Sequence, residues 1–242
     1  MTESFRWTNC YADVVSSKYG PMTHAFLLDV VEPALVALDS QISGLEKSGE
    51  PGAPFMQADT EELLRATTMA FCLSIQSLWE RQIRAYLQGC AKELRSDGAL
   101  ARRAVHGRWE EIDSVFNELR GISLTEFEEY PQLDLLHLLG NACRHGDGPS
   151  VGMLWKTHPE LWPCRQVMHL PFSVDATSLT PRLPSIDGVV IPRDLLRSFV
   201  RAIASFWEET EYIYLESIER KHASLEAKLI ETRRERADRG RK

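Results

Sequence analysis

Four polar side chains in mid-chain, His137, Asn141, Arg144 and His145, are spaced to share one stripe of a helix. Steps of three and four residues bring side chains together on a helical surface. An imidazole titrating near neutrality can move a proton between oxygens. A guanidinium can hold a phosphate through paired hydrogen bonds and offset charge developing on it, and an amide adds a fixed polar contact. The set can therefore be a site. Equally, cations at a helix C-terminus are favoured by its dipole. Asn141 can simply anchor the following loop, and His137 can be a half-buried histidine at a helix contact. Both readings are open at this level.

Other chemistry is sparse. Glu80, within Ser77-Leu78-Trp79-Glu80-Arg81, is an acidic residue positioned to pair with Arg81, Arg84 or Arg144. His158, Cys164 and His169 are metal-ligating types, but their spacing matches no known knuckle and no fourth ligand is evident. There is no glycine-rich phosphate loop after a strand and no Gly-x-Ser-x-Gly elbow. No metal and no cofactor are expected.

The run Leu138-Leu139-Gly140-Asn141-Ala142-Cys143-Arg144-His145-Gly146 resembles the late-helix motif of HEPN-type domains. In that family an Arg, a following polar residue and a later His lie near a helix end. His145 matches the His and Asn141 the polar residue, while the Arg position falls on Gly140, with Arg144 one turn further on. The resemblance extends over about residues 22–215, but its specific signal rests on about nine of them. It implies an all-α bundle, a homodimer that brings two copies of the motif together, and metal-independent RNase activity in a toxin-antitoxin or phage-defence setting. His145, Asn141 and Arg144 would then be catalytic, and His137 and Glu80 would contact RNA or nucleotide. The alternatives are a non-catalytic HEPN-like module that binds a nucleotide or a partner such as an antitoxin, and a purely structural helical oligomerisation protein.

The motif must be carried by helices. Leu135, Leu136, Leu139, Ala142 and Cys143 form the apolar face of a helix from Pro131 to His145, closed by Gly146. Earlier helices are predicted from Met22 to Lys47, bent at Pro33, from Asp59 or Thr60 to Leu94, and from Ala99 to Leu119. A short helix starts near Ser150, and Pro159 opens a further turn. Val167–Val174 and Ile186–Ile191 are the only strand-like stretches, and prolines confine them to edges or a small hairpin. One long helix is predicted from Pro192 to about Arg236. The expected architecture is an all-α bundle of four to five main helices with a short irregular or hairpin insertion before the last. Residues 1–20 would form an arm, 21–220 the bundle, and 221–242 a charged helical or disordered tail.

Composition sets the outer limits. Of 242 residues, 43% are hydrophobic and 26% charged, ordinary for a chain with a real core. Five separated cysteines with no CxxC pair suggest reduced thiols, and no secretory leader or apolar span is evident, so a cytoplasmic, membrane-free protein is expected. Residues 216–242 hold nine Lys/Arg against six Asp/Glu, so the rest carries about −10 of the net −7. Such a body does not attract nucleic acid non-specifically.

Overall fold

A computed structural model describes residues 5–95, 98–163 and 184–239 of the chain. Every regular element among these residues is helical, and no strand occurs. The fold is all-α. The elements are α1 (Tyr11–Ser16), α2 (Tyr19–Phe26), α3 (Glu32–Glu46), α4 (Ala53–Leu94), α5 (Gly98–His106), α6 (Trp109–Arg120), α7 (Tyr130–His145), α8 (Pro149–Thr157), α9 (Arg193–Glu216) and α10 (Ala223–Arg239). None of the described helices is long and apolar enough to cross a membrane.

Several boundaries differ from the sequence reading, each for a local reason. Proline at 33 has no N–H, and its ring clashes with the carbonyl four residues back. The chain widens there into a π-helical turn over Leu27–Val31, with the Glu32 N–H bonding to the Leu27 carbonyl. Helix α4 starts at Ala53, well before Asp59, because Pro54 is tolerated in a first turn. The single helix expected from Ala99 to Leu119 is two, parted at Gly107 and Arg108. A Cβ at Gly107 would collide with the Arg103 carbonyl. Arg84 Nη1 donates to the carbonyls of Ala104, Val105 and Gly107 at 3.1, 3.4 and 3.0 Å, satisfying groups that a helix end leaves orphaned.

The long last helix is also two. Helix α9 stops at Glu216, where Lys221 Nζ donates to the carbonyls of Glu216 (2.9 Å) and Ile218 (2.8 Å). Helix α10 turns back onto α9. Arg233 bonds both carboxylate oxygens of Glu216 at 2.6 and 2.7 Å, and Arg236 meets Glu209 at 2.5 Å and lies 4.2 Å over the Tyr212 ring. Part of the basic tail is thus spent inside the fold. Of the strand-like stretches, Val167–Val174 lies outside the described residues. Ile186–Gly188 is a 3₁₀ turn, and Val190 N–H bonds the Leu161 carbonyl at 2.8 Å.

Two compact units emerge. The first comprises Met1–Met22, Glu80–Tyr130 and Ile203–Lys242. Its core is aromatic, with Tyr86, Phe116, Phe127, Phe206 and Trp207 linked by ring-centroid separations of 4.7 to 6.4 Å. Such offset and edge contacts add to the area each ring buries. The N-terminal arm joins this core: Trp7 is buried and its backbone N–H donates to Ser217 Oγ at 2.9 Å. The second unit comprises Thr23–Trp79 and Pro131–Ala202. It is mainly aliphatic, with Val31, Leu35, Ile75, Leu136, Leu139 and Phe199 all but fully buried.

Candidate functional site

Helix α7 forms where its pattern requires. Pro131 sits in the first turn, Leu133, Leu135, Leu136, Leu139 and Ala142 are buried, and Gly146 ends it at φ 71° with its N–H on the Ala142 carbonyl at 2.9 Å. Only glycine adopts that left-handed conformation at little cost. The chain beyond is pinned by Asp147, whose carboxylate accepts from the Ile186 N–H (2.7 Å) and Ser185 Oγ (3.2 Å).

On the opposite stripe the polar residues divide into two groups. Asn141 and His137 are half-buried and bond to each other, Nδ2 to Nε2 at 2.9 Å. With the amide donating, the imidazole accepts at Nε2 and is the neutral tautomer protonated on Nδ1. This bond supplies the reason for an asparagine inside a helix. Its carbonyl oxygen makes no hydrogen bond among the described residues. Arg144 and His145 are exposed. Arg144 Nη2 reaches α4, donating to Gln76 Oε1 at 3.2 Å and approaching Ser77 Oγ at 3.5 Å. His145 makes no side-chain hydrogen bond among the described residues.

Gly140 explains how α7 meets α4. A Cβ placed on it would lie 2.6 Å from Gln76 Cγ and 2.7 Å from Gln76 Cβ, far inside van der Waals contact, and Gln76 is fully buried. The close approach at this glycine is therefore to a helix of the same chain. No side chain fits at 140, least of all an arginine. Glu80 is held elsewhere in an ion pair with Arg84 at 2.8 Å. His158 pairs with Glu160 at 3.0 Å, while Cys164 and His169 lie outside the described residues. Among the described residues no three His, Cys, Asp or Glu side chains are grouped to hold a metal. Cys143 faces Cys72, and their thiols share a hydrogen bond that, with burial, pushes the Cys72 thiol up and, against burial, draws Cys143 down.

The densest polar cluster lies in the other unit and escaped the sequence reading. Arg120, with no exposed side-chain surface, donates to Asp13 Oδ1 (2.6 Å), the Thr8 carbonyl (2.7 Å), Cys90 Sγ (2.9 Å) and Cys10 Sγ (3.3 Å). Its guanidinium carbon lies 4.6 Å from the Trp7 ring centroid and 5.0 Å from that of Tyr86. Tyr86 donates its hydroxyl to Asp13 at 2.9 Å, and burial pushes that phenol well up. Asp13 also accepts from the Cys10 N–H at 2.8 Å, starting α1. The two sulfurs stand 3.7 Å apart. The one signal available was that Ile112, Phe116 and Arg120 recur at steps of four, so the arginine continues a buried face. Compared with known protein families, curated proteins and solved structures, the chain matches none.

Proposed function

We propose that this chain is a divergent HEPN-like protein, a bundle of four to five main helices, that binds a nucleotide at the C-terminal end of α7 without cleaving RNA. The observation carrying this reading is the seat of Gly140 against Gln76, which leaves no room for the arginine that the cleavage chemistry of such a motif needs. Arg144 supplies a guanidinium steadied by Gln76. It is suited to hold a phosphate, but it approaches from one turn further along the helix. Asn141, with its carbonyl open and its amide tied to His137, offers an oriented polar contact. His145 adds an imidazole at the same end. Under this reading the biological setting is a homodimer, or a complex with an antitoxin or another defence-system partner protein.

Thermal unfolding of the full chain with and without ATP tests the proposal. Nucleotide at about 100 times its dissociation constant stabilises a folded protein by about 2.7 kcal/mol. The melting temperature should rise with ATP, and the rise should vanish in Asn141→Ala and Arg144→Ala. Total RNA incubated with the protein, with and without chelator, should stay intact. Cleavage that persists in chelator and disappears in His145→Ala would replace this reading with metal-independent RNase activity, Arg144 then serving as the phosphate-holding group. No shift with any nucleotide, and no cleavage, would reject both.

A further inference from the structure

We propose that Cys10 and Cys90 form a peroxide-reactive dithiol, with Cys10 the attacking thiolate, Cys90 the resolving thiol and Arg120 the cation that steadies the charge on sulfur. The inference is independent of the nucleotide reading. It rests first on geometry. The sulfurs are 3.7 Å apart, already in contact and within about 1.7 Å of the roughly 2.05 Å of a disulfide. Cys10 is part-exposed while Cys90 is fully buried, which makes Cys10 the sulfur a dissolved peroxide meets first.

The surroundings suit this division of roles. The Cys90 hydrogen bond, aided by the Arg120 guanidinium, holds the Cys10 thiol below its ordinary value, whereas burial pushes Cys90 far up. Thiolate, not thiol, is the nucleophile, and cysteines beside a cation are the reactive ones. Arg120 is held in place by Asp13 and the Thr8 carbonyl, so it stays beside the sulfurs.

The chemistry balances with a hydroperoxide as oxidant. The Cys10 thiolate attacks the distal peroxide oxygen; an S–O bond forms, the O–O bond breaks, and the leaving alkoxide or hydroxide takes a proton. Cys10 is then a sulfenic acid. The Cys90 sulfur attacks it, the S–S bond forms, and water leaves with the Cys90 proton. Two thiols lose two electrons in total, and the peroxide is reduced to water and an alcohol, or to two waters. Dithiothreitol reverses the product by thiol exchange.

The test is near-stoichiometric hydrogen peroxide on the folded full chain, followed by alkylation and peptide mass spectrometry. A Cys10–Cys90 linked peptide should appear, vanish on reduction, and form in Cys143→Ser as in the wild type. In Cys90→Ser, a sulfenic acid on Cys10 should accumulate and be trapped by dimedone; in Cys10→Ser, Cys90 should stay unmodified. Absence of the linked peptide, or its formation only after denaturation, overturns the proposal. So does first oxidation at Cys90. The role of Arg120 has its own readout, the pH profile of Cys10 alkylation in Cys90→Ala, which removes the Cys90 hydrogen bond and leaves the guanidinium beside Cys10. Its midpoint should fall below that of a free thiol, each unit of lowering raising the thiolate fraction about tenfold where the thiol form still dominates. A midpoint at or above the free value removes Arg120 from the assignment.

Discussion

At the scale of single residues, the polar stripe of α7 was legible because its spacing repeats with the helix, whereas the Arg120 cluster was not. Asp13 and Arg120 are separated by 107 positions, and no local period connects them. Their pairing is a product of tertiary packing. With side-chain exposures of 1% for Asp13 and 0% for Arg120, removal of either partner strands a buried charge. Asp13→Ala should therefore cost about 3–5 kcal/mol, read from urea denaturation midpoints. A loss under about 1 kcal/mol would mean that the sulfurs, the Thr8 carbonyl and the two rings suffice to hold the guanidinium. Gly140→Ala sets two effects against each other. Alanine gains about 1 kcal/mol in helix propensity, while overpacking against the stem of Gln76 costs about 1–3 kcal/mol. The collision involves Cβ as well as Cγ, so no rotamer change relieves it, and a net loss of about 1 kcal/mol is expected by the same denaturation.

At the scale of elements, the existence of the long helices was readable, while α1 within the expected arm and most helix endings were not. Apolar periodicity marks α4, α7 and α9, but it runs on through Gly107 and past Ser217, where the chain breaks because side chains from elsewhere satisfy the freed carbonyls. Arg84 does this for α5 and Lys221 for α9. Arg84→Met should raise amide exchange in α5 by about tenfold, the equivalent of losing about 1–1.5 kcal/mol of hydrogen bonding. Helix α10 carries a pH dependence. The Arg233 guanidinium, with help from Tyr212, holds the Glu216 carboxyl below its usual range. A depressed carboxyl adds stability that is in place above the unfolded value, about pH 4.3, and is lost as pH falls through the lower folded value. Amide protection in α10 should thus be retained at pH 7 and fall below about pH 4. Glu216→Gln should weaken docking at pH 7 by about 1–2 kcal/mol, discounted because Arg233 is partly exposed. Equal α10 exchange in wild type and variant would remove the ion pair from the account.

At the scale of the whole chain, an all-α fold follows from apolar repeats near 3.6 residues throughout the described helices. Composition carries one functional consequence at this scale. A net charge of −7, with Arg233 and Arg236 of the tail bound to Glu216 and Glu209, leaves little basic surface to attract a polyanion. Random single-stranded RNA should show no mobility shift at micromolar protein and about 0.1 M salt, because non-specific affinity depends on unspent Lys and Arg. A salt-sensitive shift would show that the remaining cations of residues 220–242 act together as a nucleic-acid patch.

The seat of Gly140 on Gln76 also constrains the history open to this sequence. Shortening position 76 to alanine would still leave its Cβ 2.7 Å from any Cβ at 140, so a side chain at 140 needs either glycine at 76 or the two backbones moving apart. A descendant that acquired arginine at 140 would have to pass through forms with glycine at 76 or a looser α4–α7 contact, and with lower stability. For a protein only about 5–15 kcal/mol from unfolding, that is a barrier between lineages. It tends to keep glycine at 140.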